Sequence, residues 1–120
     1  MLISLTEIEG GAFTPIAYEI GTLVKHKLYG YRGVIVSYDS CCEACDKWYF
    51  GNKTQPDRNQ PWYNVLMHDS GGLSCYVAQS NLSFDPCAAP IEHPRVSCYF
   101  TRFENGVYIP KQDSSDCCSG

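Results

Sequence analysis

The sequence has no apolar run near the roughly 20 residues that a membrane-spanning helix needs. Its first residues place no basic segment before an apolar stretch and soon turn acidic, which is not typical of a secretory signal peptide. We therefore expect a cytoplasmic protein with no membrane partner. Positive charge is scarce too, because 9 Lys and Arg stand against 13 Asp and Glu, for a formal net charge of −4. That acidic total argues weakly against nucleic acid as a partner.

The positive charge that is present lies mostly in one half of the chain. Residues 20–65 hold 6 Lys and Arg against 4 acids, whereas the remainder holds 3 against 9. Contact with a phosphate backbone would therefore come from the first half. The candidate cations are Lys25, Lys27, Arg32, Lys53 and Arg58. The competing interpretation is an ordinary solvated surface.

Motifs for metal, cofactor or catalytic chemistry are also lacking. Cys42 and Cys45 have the spacing of half a zinc site, but the other six of the eight cysteines supply no second spaced pair. We expect reduced thiols, no metal and no cofactor. Gly30 and Gly33 are not followed by the Lys-Ser/Thr of a phosphate-binding loop. No nucleophile, base and orienting group fall into a recognisable order, so we expect a binding protein and not an enzyme.

Several short runs with the composition of strands organise the middle of the chain. Its 120 residues suit one domain. The strand-like runs are 20–27, 33–39, 62–68 and 73–78, and the sequence DSGG at 69–72 predicts a hairpin between the last two. The connection at 40–60 has room for one or two helical turns. This pattern predicts a mainly β fold, a small SH3-like antiparallel β-barrel over residues 19–82, preceded by an N-terminal arm at 1–18.

The hydrophobic period changes in the C-terminal extension, residues 83–110. Val96, Tyr99, Phe100 and Phe103 stand at i, i+3, i+4 and i+7, which predicts a short C-terminal helix at about 94–104. Gly106 fits the residue just past the end of such a helix. The polar segment 111–120 is predicted to be a disordered tail.

An ordered set of short segments resembles one known family. The segments are VKH at 24–26, GYRGVIV at 30–36, NQPWYNVL at 59–66, YVAQSNL at 76–82 and IEHP at 91–94. Together they resemble the YccV-like family, typified by the bacterial heat-shock protein HspQ, and the resemblance covers about residues 20–110. It implies a small β-barrel that binds hemimethylated DNA, influences replication-initiator expression and is not an enzyme.

The same resemblance implies a second role, as a heat-shock adaptor or specificity factor for the ATP-dependent protease Lon. In that role the chain would bind protein surfaces, for which an acidic character is no obstacle. Open strand edges are also places where sister subunits add, which leaves a homo-oligomer open.

Four aromatic residues in predicted loops are candidates for reading a methyl mark. N6-methyladenine replaces one major-groove donor hydrogen with a methyl group, so reading it needs an apolar or aromatic surface. Tyr29, Tyr31, Trp48 and Tyr49 supply such surface. Alternatively, they pack under their own loops, as loop aromatics more often do.

Overall fold

The protein is described by a computed structural model that covers residues 14–44, 46–51 and 55–111. Within these ranges, seven strands and two short helices follow one another. They are β1 (Leu23–His26), β2 (Arg32–Asp39), α1 (Asp46–Phe50), β3 (Trp62–Met67), β4 (Ser74–Ala78), β5 (Leu82–Phe84), α2 (Val96–Tyr99), β6 (Phe100–Glu104) and β7 (Val107–Pro110). A single 3₁₀ turn, Gln79–Asn81, links β4 to β5.

The first five strands form one antiparallel sheet in the order β4-β3-β2-β1-β5. The predicted hairpin turn at 69–72 is confirmed, because β3 and β4 pair directly on either side of it. Within the part of the chain that the structure describes, hydrogen bonds do not close these strands into a barrel, and β4 and β5 are the two edges. The fold is therefore mainly β and antiparallel, and the SH3-like barrel stays a prediction.

Both faces of the sheet are buried, because successive side chains of a strand point to opposite sides. In β2, Val34 and Ile35 are both fully buried but belong to different apolar clusters. Ile35 packs on the face that also buries Tyr18 and Tyr63. Val34 packs on the face covered by the C-terminal extension, through residues such as Phe100.

The tyrosine at the centre of the first face ties the N-terminal segment to the sheet. The hydroxyl of Tyr63 accepts from the main-chain N–H groups of Ala17 at 3.1 Å and Tyr18 at 3.3 Å, and donates to the side chain of Gln79. Of the predicted arm, residues 1–13 lie outside the described part of the chain. The proposed domain boundaries stay predictions, and so does the tail, of which only Lys111 is described.

The predicted C-terminal helix at about 94–104 is wrong over its second half. Only Val96–Tyr99 is helical, and Phe100–Glu104 is a strand that pairs with Val107–Pro110. Asn105 and Gly106 both have positive φ, 52° and 82°. An Asn-Gly pair favours a tight hairpin turn of this kind, so strand pairing replaces the helix that the apolar spacing indicated. Gly106 is thus a turn residue and not a helix end.

Candidate functional site

An aromatic pocket of about 120 Å³ lies between the turn that joins β1 to β2, helix α1 and the edge strand β4. Its aromatic lining comes from distant parts of the chain, and Cys75 and Asn81 add polar groups. The aromatic lining residues are His26, Tyr29, Tyr31, Trp48, Trp62 and Tyr76. We call this set the aromatic pocket.

One wall of the aromatic pocket is built by β3, β4 and α1. The register pairs Trp62 with Ala78 and Asn64 with Tyr76, so Trp62 and Tyr76 are diagonal neighbours across the hairpin. Their rings stack with centroids 5.4 Å apart. Helix α1 then places Trp48 edge-on to both, at 6.0 Å from Trp62 and 5.6 Å from Tyr76. The three rings support one another and leave Trp48 38% exposed.

Another part of the lining comes from the β1–β2 turn and depends on His26. The Nδ1 atom of His26 accepts from the main-chain N–H groups of Leu28 and Tyr29, both at 3.1 Å. The ring also stacks on Tyr29, with centroids 4.5 Å apart, and lies 5.1 Å from Tyr31. Burial lowers the pKa of His26, so the ring is neutral near pH 7 and carries its proton on Nε2. His26 therefore shapes the turn that presents Tyr29, which is 57% exposed.

The hydroxyl groups of Tyr31 and Tyr76 remain protonated, because the pKa of each is raised. Burial raises the pKa of Tyr31, and its neighbour Cys75 raises it further. Burial also raises the pKa of Tyr76, whose hydroxyl donates to the Asp39 carboxylate at 2.6 Å and accepts from the N–H of Glu43 at 3.0 Å. Hydroxyls of this kind supply neutral hydrogen-bonding groups rather than charge at physiological pH.

Trp62, which lines the pocket, has a buried donor without a partner among the described residues. The indole Nε1–H of Trp62 is buried, and no hydrogen-bond acceptor for it is found among the described residues. The whole Trp62 side chain is 3% exposed, so solvent does not readily satisfy this group. A buried N–H without an acceptor is costly, and such exceptions in folded proteins call for an explanation.

The structure brings three of the four candidate aromatics together. Tyr29, Tyr31 and Trp48 line the same pocket, although the first two are separated from the third by all of β2. Tyr49 is not among the lining residues: it is buried, and its hydroxyl donates to the carbonyl of Pro56 at 2.7 Å. Tyr49 therefore stabilises the connection between α1 and β3.

The candidate cations divide into two kinds of environment. Lys25 lies in β1, and Lys27 directly follows the last residue of that strand. Both side chains are exposed, and neither forms an ion pair within the described ranges. Arg32 is paired with Asp85, and Arg58 is paired with Asp46. Lys53 lies outside the described residues.

The two arginines hold segments of their own chain. Arg32 also donates to the carbonyl of Ala89, so it joins β2 to the segment after β5. Arg58 donates to the carbonyl of Ala44 at 2.7 Å and lies 4.7 Å from the centre of the Tyr49 ring. Both guanidinium groups thus have structural contacts, and their roles in partner binding stay predictions.

Sequence reasoning did not select Trp62, Tyr76, His26 or Asn81 as site residues. A signal for the first two existed in the hairpin at 69–72. Counting outward from such a turn makes Trp62 and Tyr76 near-opposite aromatics on neighbouring strands. No comparable signal existed for His26 and Asn81, because they approach one another only through the pairing of β1 with β5.

The described residues were also compared with the requirements of a metal site and of a membrane-spanning helix. Cys41, Cys42, Cys75 and Cys87 form no disulfide within the described ranges. Cys45, Cys117 and Cys118 lie outside the described ranges, so the Cys42–Cys45 pair is not tested. Across 14–44, 46–51 and 55–111 no three metal-binding side chains cluster. In the same ranges no helix has the length and apolarity to cross a bilayer.

The fold and the pocket thus define a small, mainly β domain that carries an aromatic site. Residues 16–107 match the model of the YccV-like family, described as hemimethylated DNA-binding protein YccV like. The chain belongs to this family, which confirms the resemblance seen in its sequence segments. The match includes β1 to β6 and every aromatic residue of the pocket.

Curated relatives carry the same domain within much longer chains. F-box only protein 21 of Homo sapiens is 37% identical over 101 residues, and so are its counterparts in Pongo abelii and Mus musculus. The aligned segment covers 82% of this chain but 16% of each relative. The similarity therefore concerns one domain of those proteins.

Proposed function

We propose that this chain is a non-enzymatic DNA-binding domain that prefers hemimethylated sites. The observation that carries the proposal is the match of residues 16–107 to the hemimethylated DNA-binding family. The family supports DNA binding at the level of the domain. A cytoplasmic location and an influence on replication-initiator expression belong to the same proposal.

Exposed lysines support contact with a phosphate backbone. Lys25 lies in β1, Lys27 is the first residue after it, and both side chains are exposed. Neither is neutralised by an ion pair within the described part of the chain. The main chain of Lys27 also donates to the carbonyl of Asn81 at 2.8 Å, and Asn81 lines the aromatic pocket. The candidate phosphate contact at Lys27 therefore lies beside a lining residue of the aromatic pocket.

The aromatic pocket supports recognition of a methyl mark. A methyl group added to adenine is apolar, and the exposed rings of Tyr29 and Trp48 offer it an apolar surface. The overall acidity of the chain restricts the electrostatic contribution to few contacts, so we expect moderate affinity and a small salt dependence.

The proposal is tested by fluorescence anisotropy. The affinity of the protein is measured for matched hemimethylated, fully methylated and unmethylated duplexes at two salt concentrations. We expect the hemimethylated duplex to bind most tightly. Lys25→Gln and Lys27→Gln should each weaken binding to all duplexes and lower the salt slope by about 1. Lys111→Gln, the same charge change beyond β7, is the matched control and should leave affinity unchanged.

Equal affinity for the three duplexes would contradict the methyl preference and leave a general phosphate affinity. No binding near physiological salt would contradict DNA recognition altogether. The alternative, a heat-shock adaptor for the ATP-dependent protease Lon, would then be tested by degradation of Lon substrates with and without this protein.

A further inference from the structure

We propose that the open edge of β4 binds an extended peptide segment of a protein partner, which adds to the sheet as a further strand. The inference goes beyond the proposed function, because it concerns a protein ligand and does not depend on DNA binding. Three features support it: the unpaired main-chain groups of β4, the aromatic pocket beside them, and the contrast with the other edge of the sheet.

Every second residue of β4 turns its main-chain N–H and C=O groups away from β3. The register between the two strands is regular over the whole of β4. Just before β4, Leu73 accepts from the main-chain N–H of Met67 at 3.1 Å. Just after it, Gln79 donates to the carbonyl of Pro61 at 2.9 Å. Hydrogen-bonded positions alternate along an antiparallel pair, so the odd-numbered residues of β4 face β3 and the even-numbered residues face outward.

Ser74 and Tyr76 are outward-facing residues of β4 that solvent reaches. Ser74 is exposed and Tyr76 is half-buried. Across the described ranges, β4 pairs with no strand other than β3, and no main-chain hydrogen bond from another element reaches either residue. Their N–H and C=O groups therefore stand two residues apart along an open edge. An extended peptide presents the same alternating groups and satisfies both residues at once, which an ion or a single ring does not.

The aromatic pocket lies along this same edge. Four consecutive residues line it, from Cys75 to Ala78. Successive side chains of a strand point to opposite faces, and the neighbours Val77 and Ala78 indeed belong to different apolar clusters. A cavity that touches both therefore extends past the edge of the strand rather than over one face. Because β3 occupies the other side of β4, the pocket lies on the unpaired side.

The pocket has the size and polarity for one side chain of the added strand. Its volume is about 120 Å³. An engineered protein cavity of about 150 Å³ binds benzene, so this space has room for one apolar side chain of moderate size. The described lining contains no Asp, Glu, Lys or Arg. We therefore expect an uncharged, apolar residue of the peptide to enter the pocket while its main chain pairs with β4.

The other edge of the sheet is protected by the chain itself. β5 has only three residues. The main-chain N–H of Leu82 donates to the carbonyl of Gln79, and its carbonyl accepts from the hydroxyl of Tyr18 at 3.0 Å. β4 has five residues and carries none of the charges or prolines that usually protect an edge. Of the two edges, β4 is therefore the one suited to strand addition.

The test uses two heptapeptides of the sequence TVTLTVT, both acetylated and amidated. In the second peptide, the main-chain nitrogens of the central leucine and of the residue after it are methylated, which removes a donor from each edge of the strand. We expect the first peptide to bind with a Kd below about 1 mM, and at least about tenfold more tightly than the second. Equal affinity for the two peptides, or no binding of the first, would overturn the inference.

Two substitutions at Ser74 isolate its main-chain N–H. Because this N–H faces away from β3, Ser74→Pro removes a donor without breaking the pairing of β3 with β4. It should weaken binding of the first peptide at least about tenfold. Ser74→Thr keeps the N–H and favours a strand, so this matched control should preserve the affinity. Equal affinity of the two variants would contradict pairing at this edge.

Hydrogen exchange on the unmodified protein decides the question if Ser74→Pro folds poorly. In the free protein, the N–H groups of Cys75 and Val77 should exchange slowly, because they face β3, and those of Ser74 and Tyr76 should exchange fast. The first peptide should slow exchange at Ser74 and Tyr76 only, and unchanged exchange there would overturn the inference. Slow exchange at both residues in the free protein that is lost on dilution would assign the edge to a second copy of the chain instead. The duplex titrations test DNA binding separately, so either proposal can fail alone.

Discussion

The ion pair between Arg32 and Asp85 should contribute strongly to folding, although Arg32 is a candidate for phosphate contact. The Nε of Arg32 lies 2.5 Å from the Asp85 carboxylate, and the side chains are 19% and 2% exposed. Asp85 also accepts from the main-chain N–H of Cys87 at 3.0 Å. Replacing either partner with alanine leaves the other charge with little solvent and no counter-ion.

The size of this effect follows from the burial of the pair. Removing one partner of a fully buried pair costs about 3–5 kcal/mol. Arg32 keeps some contact with solvent, so screening reduces the cost, and we expect about 2–4 kcal/mol for Arg32→Ala or Asp85→Ala. Because both variants break the same interaction, the double variant should be less destabilised than the sum of the two, by about 1–3 kcal/mol.

Urea unfolding of the wild type, both single variants and the double variant measures this coupling free energy. The matched control is the exposed pair Arg102–Glu104, whose side chains are 58% and 50% exposed. Its coupling should be about 0.2–1 kcal/mol. If the Arg32–Asp85 coupling is no larger than that of the control pair, the reasoning from burial is refuted. DNA affinity of Arg32→Ala is informative only at a temperature where the variant is folded.

Two further predictions concern a glycine and a histidine. Gly21 has φ of +97°, and a Cβ there would lie 2.1 Å from a main-chain oxygen of β7. Gly21→Ala should therefore lower the urea midpoint far more than Gly71→Ala, where φ is +75° and the space around a Cβ is open. Equal effects of the two substitutions would show that the close approach of Gly21 to β7 is unimportant. Burial lowers the pKa of His26 below its ordinary 6.5, so the unfolded state gains a proton first as pH falls. The free energy of unfolding should be retained above about pH 6.5 and decrease below it, and His26→Gln should flatten this pH dependence of the urea midpoint; an unchanged slope would contradict the assignment.

Local sequence patterns were sufficient to predict much of the central sheet and part of the site. Runs rich in β-branched and aromatic residues predicted β2, β3 and β4 close to where they lie, because such residues favour strands. The turn at 69–72 predicted that β3 pairs with β4, because a short turn brings two consecutive strands side by side. Tyr29, Tyr31 and Trp48 were selected as loop aromatics, and all three line the pocket.

Long-range pairing decided the remainder, because its partners are far apart in sequence. The spacing of aromatics at 96–103 was compatible with a helix, and the competing pairing of β6 with β7 produced a strand from Phe100 onward. Arg32 finds its counter-ion 53 residues away, a contact that no local pattern indicates. The unpartnered indole of Trp62 is likewise a property of the packed pocket, since a donor lacks an acceptor only in relation to everything that surrounds it.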